Sequence, residues 1–293
     1  MASEAPLPPT AVLGLGHLGA KVAERLVNEK FPVAVWNRST EKAKYLGEMG
    51  AKVAQIPAEA LSQSEIIILM LVDAAAIRQT LLSDESQKHL NKKTIVQMGT
   101  ISAGESRELE ATVTKLGARW VEAPVQGSKA EALAGTLQVM IGAETEPEPE
   151  SAIGRVLAAL GSVEYFGKVG AASTVKLAIN HLLIAETAAF SASLGLVRAN
   201  GVDVSRFMDT LRGSALYAKQ FDKKLQKMMD RIHSNPNSTT RLFLKDLDLF
   251  VADAEAANLK ADGAKSLHGV IQAAIDKGFG DTDYSAIYEG VNP

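Results

Sequence analysis

Short apolar runs alternate with amphipathic stretches throughout the first half of the chain. The runs have the length of β-strands and cover residues 10–15, 32–36, 66–72, 94–98, 119–122, 137–141 and 163–166. Most of the stretches between them have helical spacing, at residues 18–29, 40–49, 74–82, 103–116 and 147–160. This alternation predicts an α/β fold with a doubly wound, mostly parallel sheet and helices on both faces. A ligand is then expected beyond the carboxyl ends of the strands.

After Gly170 the pattern is helical only. Ala171–Ala199 contains no Pro and a single Gly, which predicts one interdomain helix about 44 Å long at 1.5 Å per residue. Shorter helices are predicted at residues 204–211, 215–229, 240–256, 262–277 and 284–290. We therefore expect a disordered tail at residues 1–9, a first domain at residues 10–170 and an all-α domain at residues 171–293.

Composition narrows the class of protein. With 293 residues, 46% of them hydrophobic and 22% charged, the chain can bury a full core. A net charge of −3 argues against nucleic acid or an anionic membrane as a partner. The absence of cysteine excludes disulfides and thiolate chemistry, and the five histidines have no metal-binding spacing. We expect a cytoplasmic protein without a metal site.

One segment, residues 177–197, is apolar enough to suggest a membrane span. It also carries Asn180, His181 and Glu186, which are costly to place in lipid. We therefore predict a helix that protein buries on all sides.

A glycine-rich turn follows the first predicted strand. It reads Gly14-Leu15-Gly16-His17-Leu18-Gly19 and has the G-x-G-x-x-G spacing of a Rossmann dinucleotide-binding domain. The first glycine permits a sharp turn, the second lets a pyrophosphate approach backbone N–H groups, and the third brings helix and strand together. We assign this loop to the cofactor, the alternative being a tight turn that binds no ligand.

The end of the second predicted strand indicates which dinucleotide binds. An NAD site commonly has Asp or Glu there, whereas this chain has Asn37, Arg38, Ser39 and Thr40. Their donors and positive charge suit the 2′-phosphate of NADP, so NADPH is the predicted cofactor. The alternatives are a surface arginine at Arg38 and a helix N-cap at Thr40.

The ends of the third and fourth predicted strands are expected to meet the nicotinamide half of the cofactor. The residues there are Leu71, Val72, Asp73 and Thr100. For Thr100, a role in shaping the turn explains the residue equally well.

Two further motifs suggest a reaction centre. Gln126, Gly127 and Ser128 form a turn after Pro124, and their backbone N–H groups can converge on a small carboxylate, although the same residues also fit an ordinary strand-to-turn corner. Lys176 and Asn180 are four residues apart, so they share one helix face. A lysine ammonium there can give a proton to a carbonyl oxygen that is being reduced. The alternative is a solvated lysine and an asparagine packed against a neighbour.

These motifs together resemble the β-hydroxyacid dehydrogenase family, which includes 3-hydroxyisobutyrate dehydrogenases and glyoxylate/succinic semialdehyde reductases. The likeness extends from about residue 10 to the C-terminus, and the closing motif is similar to the reductase branch. It rests on residues 14–19, 37–38, 123–127, 170–180, 245–246 and 280–286.

The resemblance implies a role for each motif. By it, Lys176 is the catalytic acid/base and Asn180 helps to hold the substrate. Residues 126–128 anchor the substrate carboxylate, and Lys245 closes over cofactor and substrate. The expected substrate is a small semialdehyde or oxo acid, or its hydroxy acid, and the expected assembly is a homodimer or a tetramer of dimers.

The chain departs from that family in several places. Gln126 stands where the family usually has Ser, and Ser128 where it often has Gly. The sequence Gln97-Met-Gly-Thr replaces a common Asp-Met-Ser-Thr, and Ser238 stands where Phe is frequent. We expect an altered carboxylate pocket that is roomier or less apolar.

Three alternatives share parts of this pattern. Imine reductases have the same architecture but typically carry Asp or Tyr at the position of Lys176. A non-enzymatic NADP-binding scaffold related to chromatin proteins would lack this lysine. Phosphogluconate dehydrogenase has the same two-domain plan, but this chain is short for it and shows no basic cluster for a sugar phosphate.

Overall fold

A single sheet dominates the first of two units in the computed structural model, which describes residues 6–292 and divides the chain between Lys176 and Leu177. The strands are β1 (Thr10–Leu13), β2 (Val33–Trp36), β3 (Lys52–Val53), β4 (Ile66–Leu69), β5 (Thr94–Gln97), β6 (Arg119–Glu122), β7 (Val125–Gln126), β8 (Leu137–Gly142) and β9 (Gly161–Gly167). Six of them lie in the order β3-β2-β1-β4-β5-β6 and are parallel. This is the strand order of the Rossmann fold, so the predicted fold class is confirmed.

The sheet continues past β6 with a change of direction. Strand β8 runs antiparallel to β6 and β7, and β9 pairs with β8 in parallel. The chain order reverses between β1 and β4, and the carboxyl ends of these two strands therefore mark the expected ligand crevice.

Helices cover both faces of the sheet. They are α1 (Gly19–Asn28), α2 (Lys44–Glu48), α3 (Pro57–Ser62), α4 (Ala74–Leu81), α5 (Ala103–Lys115), α6 (Lys129–Ala134) and α7 (Ala152–Leu160), with short 3₁₀ turns at Thr40–Ala43 and Ser86–His89. One apolar core joins the sheet to α1, α2, α6 and α7, and the other joins it to α3, α4 and α5. Alternate strand residues contribute to each core, since successive side chains point to opposite faces.

The second unit is helical. Its helices are α8 (Ala171–Ala199, which begins in the first unit), α9 (Val204–Arg212), α10 (Lys219–Asp230), α11 (Thr240–Ala256), α12 (Asp262–Ala274) and α13 (Ile287–Val291), with a π turn at Ile275–Phe279 and a 3₁₀ turn at Tyr284–Ala286. The predicted bounds of α8 and α11 are confirmed. Helix α12 ends three residues earlier than predicted, and Gly278 in the π turn has a φ of 93°.

The prediction that protein buries this helix on all sides is wrong, because α8 has an exposed apolar face. Ile184 and Leu194 are buried in the cores of the second unit, whereas Leu182 and Leu196 are 60% and 68% exposed. By length and composition α8 could cross a membrane, a property that it shares with core helices of soluble proteins.

The tail predicted at residues 1–9 lies partly within the described residues. Residues 1–5 lie outside the described residues. For residues 6–9 the prediction is wrong, because the Pro9 carbonyl accepts hydrogen bonds from the N–H groups of Glu65 and Ile66, and the Pro6 carbonyl accepts one from Arg155.

A buried ion pair holds the end of the second unit. Lys224 Nζ donates to both carboxylate oxygens of Asp283, at 2.7 and 2.9 Å, and lies 3.9 Å from the centre of the Tyr284 ring. Burial alone would raise the pKa of Asp283, but the hydrogen bond and charge of Lys224 hold it below its ordinary value.

Candidate functional site

The glycine loop joins β1 to α1 and has little room at two of its three glycines. Gly14 has a φ of 101°, and a Cβ atom there would lie 2.4 Å from the Met70 carbonyl oxygen. A Cβ atom on Gly19 would lie 2.1 Å from the Gly14 carbonyl oxygen. The fold itself therefore requires both glycines.

Gly16 differs from its neighbours because the space beside it is open. Within residues 6–292, no heavy atom other than those of Gly16 and its two chain neighbours lies within 4 Å of where its Cβ would be. Among the described residues, no side chain caps the start of α1, whose N-cap position is Leu18. An open concavity at a helix N-terminus suits a pyrophosphate, so the loop that also contains Leu15 and His17 fits the predicted dinucleotide.

The end of β2 is tied to this loop by Asn37. Its Oδ1 accepts from the Leu15 N–H at 2.8 Å, and its Nδ2 donates to the Ser39 carbonyl at 3.0 Å. Arg38, Ser39 and Thr40 are exposed at the surface. Asn37 therefore shapes the loop that presents the other three, and their contact with a 2′-phosphate stays a prediction. The N-cap of the following turn is Ser39 and not Thr40.

Positive charge gathers around the loop. The pKa of His17 is lowered by burial and further by the charges of Lys129 and Lys42. Lys129 begins α6, which packs against α1, and so the start of α6 lies within electrostatic reach of the glycine loop. Such a field favours the phosphates of a dinucleotide.

The residues predicted to meet the nicotinamide at the ends of β4 and β5 differ in their burial and in their contacts. Asp73 caps α4 by accepting from the Ala76 N–H at 2.7 Å, which accounts for this residue structurally. Val72 is 51% exposed, while Leu71 packs partly against a core of the first unit. Thr100 is half-buried after β5. Their contact with a nicotinamide stays a prediction.

The predicted carboxylate corner lies between β7 and α6. Gln126 pairs with Gln138 in the sheet, Gly127 has a φ of 134°, and Ser128 is the N-cap of α6. The Ser128 N–H donates to Glu131 Oε2 at 2.9 Å, and the Ser128 hydroxyl donates to the same oxygen. A carboxylate therefore sits on the donors of Ser128, but it is the side chain of Glu131, which forms a capping box with this residue.

Lys176 lies beside this corner. It is half-buried in the second turn of α8, and its Nζ donates to the Val125 carbonyl oxygen at 2.7 Å. Val125 immediately precedes Gln126, so the ammonium and the corner are held by the same two-residue strand. The structure thus brings together the predicted proton donor and the predicted substrate anchor.

The start of α8 is fixed by a buried carboxylate. Glu122, at the end of β6, accepts from the Gly170 N–H at 2.8 Å and from the Ser173 hydroxyl at 2.7 Å. These contacts, with that of Lys176, keep the first turns of α8 with the first unit. The division of the chain therefore comes after Lys176 and not at the predicted residue 170.

The other two predicted residues lie in the second unit and share one partner. Asn180 Nδ2 donates to Asp246 Oδ2 at 2.8 Å, and Lys245 Nζ lies 2.9 Å from Asp246 Oδ1. Asn180 and Asp246 are buried. The roles of Asn180 and Lys245 toward substrate and cofactor stay predictions.

Sequence reasoning missed Glu122, Glu131 and Asp246 as parts of this arrangement. For Glu131 a signal was present, since Ser128-x-x-Glu131 is a capping-box pattern. Glu122 is recognised only through partners far along the chain, and Asp246, although part of the motif at residues 245–246, through Asn180, 66 positions earlier. Within residues 6–292, no group of three or more His, Asp or Glu side chains is arranged to hold a metal ion.

Two family descriptions together match nearly the whole chain. Residues 9–170 match the NAD binding domain of 6-phosphogluconate dehydrogenase, and residues 170–291 match the family described as NAD-binding of NADP-dependent 3-hydroxyisobutyrate dehydrogenase. The second match separates the chain from phosphogluconate dehydrogenase itself.

Of two similar proteins, one is named as an enzyme and the other as a nuclear factor. Glyoxylate/succinic semialdehyde reductase 1 of Arabidopsis thaliana is 29% identical over 95% of this chain and 96% of that protein. The cytokine-like nuclear factor N-PAC of Homo sapiens is 27% identical over 94% of this chain. This chain spans 50% of the length of N-PAC.

Solved structures agree on the fold. A 3-hydroxyisobutyrate dehydrogenase from Salmonella typhimurium is similar with a TM-score of 0.86 and 24% identity, covering 96% of this chain and 99% of that one. A reductive aminase from Aspergillus terreus, solved with NADPH and ethyl-5-oxohexanoate, has a TM-score of 0.66 and 25% identity, covering 97% and 99%. These similarities confirm the fold and an NAD(P) cofactor.

Proposed function

The chain belongs to the family of NAD(P)-dependent hydroxyacid dehydrogenases of the 3-hydroxyisobutyrate dehydrogenase type, and on that premise we propose a reductase that uses NADPH. It interconverts a small semialdehyde or oxo acid, of the glyoxylate or succinic semialdehyde type, and the corresponding hydroxy acid. Lys176 is the general acid/base. The observation that carries this proposal is the hydrogen bond from Lys176 Nζ to the Val125 carbonyl, beside the corner at residues 126–128.

The residues of the first unit fit the cofactor. The open space at Gly16 and the uncapped start of α1 suit the pyrophosphate, and Arg38, Ser39 and Thr40 supply the charge and donors for a 2′-phosphate. When bound, NADPH supplies the hydride that reduces the carbonyl carbon. Lys42 and Lys129 add positive potential at the glycine loop.

Lys176 handles the proton in either direction. In reduction its ammonium gives a proton to the carbonyl oxygen as negative charge develops there, and in oxidation the neutral amine takes the proton of the hydroxyl. The Val125 carbonyl orients Nζ by accepting one of its hydrogens. Asn180, four residues later on α8, is proposed to orient the same substrate oxygen.

Two observations support a carboxylate-bearing substrate. The Arabidopsis relative is named for glyoxylate and succinic semialdehyde, which both carry one carboxylate. The corner at Ser128 already binds a carboxylate, that of Glu131. A substrate carboxylate has to replace Glu131 there or use the neighbouring donors of the corner.

Imine reduction is the second candidate, because the reductive aminase fold covers almost the whole chain. Lys176 argues against it, since imine reductases typically carry Asp or Tyr at this position. Lys176 also argues against the third candidate, a non-enzymatic NADP-binding scaffold.

The exposed apolar face of α8 supports a homodimer. Ile179, Leu182 and Leu196 lie on it and are 38%, 60% and 68% exposed. A second copy of the chain that covers this face would remove these side chains from water. Light scattering should then give the mass of a dimer or a multiple of it, and Leu182→Glu should shift the mass toward the monomer.

A cytoplasmic location is proposed from composition alone.

A substrate panel tests the proposed function. Glyoxylate, succinic semialdehyde and the cyclic imine 1-pyrroline are each offered with NADPH and with NADH, and coenzyme oxidation is followed at 340 nm. The proposal requires the highest kcat/KM with one of the two acids and NADPH. Turnover of the imine alone would favour the second candidate, and NADPH binding without any turnover would favour the scaffold.

A further inference from the structure

The direction in which Lys176 points is set at the first turn of α8, by a side chain from the sheet. We propose that Glu122 is a positioning residue for Lys176, and that it acts by fixing both the start and the rotation of α8. This inference rests on the proposed function of Lys176 and goes beyond it, since Glu122 is hydrogen-bonded to Gly170 and Ser173 and acts on the lysine through the helix.

The carboxylate of Glu122 is fully buried, and the groups around it leave it little room. Its Oε2 accepts from the Gly170 N–H at 2.8 Å and its Oε1 accepts from the Ser173 hydroxyl at 2.7 Å. A Cβ atom on Gly142 would lie 2.1 Å from Oε2, so only glycine there leaves room for this oxygen. Burying a charge is costly unless it is hydrogen-bonded, and the positive end of the α8 dipole favours a carboxylate at this place. The site is thus arranged around the carboxylate.

The two hydrogen bonds determine how α8 is turned about its own axis. Ser173 and Lys176 are three residues apart, which puts both on one face of the helix. The bond from Ser173 to Glu122 therefore aims this face at the end of β6. Lys176 then reaches the Val125 carbonyl, three residues beyond Glu122 on the same stretch of chain.

Glu122 and Val125 together hold the helix at two points. Gly170 and Ser173 are held by the carboxylate, and Lys176 is held by the carbonyl, so any rotation of the first turns breaks contacts at both points. The lysine is thereby held ready for proton transfer. A displacement of about 1 Å at a reacting group can lower a rate about 100-fold. The contacts of Glu122 with the start of α8 are therefore expected to affect the rate of the reaction.

The chain offers matched variants. Glu122→Gln can keep both hydrogen bonds, because the amide oxygen accepts from the Gly170 N–H and the amide nitrogen donates to the Ser173 oxygen. Glu122→Ala loses both, and Ser173→Ala loses one while leaving the buried carboxylate in place. Lys176→Ala provides the reference for loss of the acid/base.

The experiment measures kcat and KM with NADPH and the better of glyoxylate and succinic semialdehyde, together with the Kd for NADPH and the thermal midpoint. We expect kcat to fall about 10- to 100-fold in E122A and less in S173A, with the Kd for NADPH within about twofold of the parent. E122Q is expected to recover most of the activity of the parent. If E122A does not fold, S173A and E122Q carry the test.

A double-mutant cycle decides whether Glu122 acts through the lysine. In the K176A background, E122A should lower the remaining rate hardly at all, since there is no lysine left to position. An equal loss in both backgrounds would overturn the proposal, as would a kcat in folded E122A or S173A equal to that of the parent. Full turnover in K176A would overturn the proposed function and this role with it. An inactive K176A beside a fully active E122A would overturn only the role of Glu122.

Discussion

Lys176 Nζ and the carbonyl oxygen of Val125 are joined by a hydrogen bond of 2.7 Å. The carbonyl belongs to β7, and the next three residues form the corner assigned to the substrate. The bond therefore fixes the ammonium at the carboxyl edge of the sheet, the edge at which Rossmann domains bind their ligands.

Replacing Lys176 by Ala should remove most turnover and leave NADPH binding intact. General acid/base groups contribute about 10²- to 10⁴-fold, and we expect a loss of kcat in that range. Lys176→Arg keeps the charge but does not give up a proton near neutrality, so it should not restore the rate. Retention of activity in K176R would mean that charge alone accounts for the role of the lysine.

The glycines of the cofactor loop should separate into two classes. The methyl group of Gly16→Ala would enter open space, with no atom of the described residues beyond its chain neighbours within 4 Å. We therefore expect an unchanged thermal midpoint and an NADPH Kd raised about tenfold or more, because the methyl group occupies the space of the pyrophosphate. Gly19→Ala places its Cβ 2.1 Å from the Gly14 carbonyl and should lower the thermal midpoint even without coenzyme. Normal NADPH affinity in folded G16A would contradict the assignment.

Arg38 should set the preference for NADPH. Its removal in Arg38→Ala takes away a charged donor for the 2′-phosphate, so kcat/KM for NADPH should fall by roughly tenfold. The value for NADH, which lacks this phosphate, serves as the internal control and should change little. Equal losses with both coenzymes would assign Arg38 a purely structural role.

Glu131 should compete with a substrate carboxylate for the corner. Glu131→Gln keeps a capping residue on Ser128 and removes the charge, so the KM for succinic semialdehyde should fall severalfold. Butanal has the same chain length without the carboxylate, and its kcat/KM should be unchanged. A raised KM for succinic semialdehyde in E131Q would show that Glu131 helps the acid to bind.

The stability of the second unit should fall in acid because of Asp283. Its folded pKa lies below its ordinary value of 3.8, so its contribution is complete above about pH 5 and is lost as the pH falls through the folded pKa. Denaturant unfolding between pH 7 and pH 3 measures this loss.

Variants at neighbouring aspartates test the source of that stability. Asp283→Asn leaves Lys224 buried without its counter-charge and should cost about 3–5 kcal/mol at neutral pH. Asp281→Asn, two residues away and exposed, should cost little. Equal effects of the two substitutions would contradict the importance of the buried pair.

The elements with strong periodicity could be predicted, and those set by distant contacts could not. Five of the six parallel strands (β1, β2, β4, β5 and β6) and α8 follow from apolar runs and uninterrupted helical spacing. Strands β3 and β7 contain two residues each, too few to show alternation, and they exist only through pairing with β2 and β8. The same limit applies to the site: Lys176 was found through its spacing from Asn180, whereas Glu122 binds a residue 48 positions later and its role is invisible in the sequence.

The contact of Glu122 with the start of α8 also affects how this protein can diverge. The segment between Glu122 and Gly170 contains the corner and α6, while the carboxylate that fixes the helix precedes the segment and the lysine follows it. Provided that Gly142 and the Val125 carbonyl are kept, we expect that loops in this segment can be exchanged without moving Lys176, the proposed proton donor. Evolution, or a designed library confined to residues 126–136, can thus alter which molecules are accepted while the chemistry stays the same.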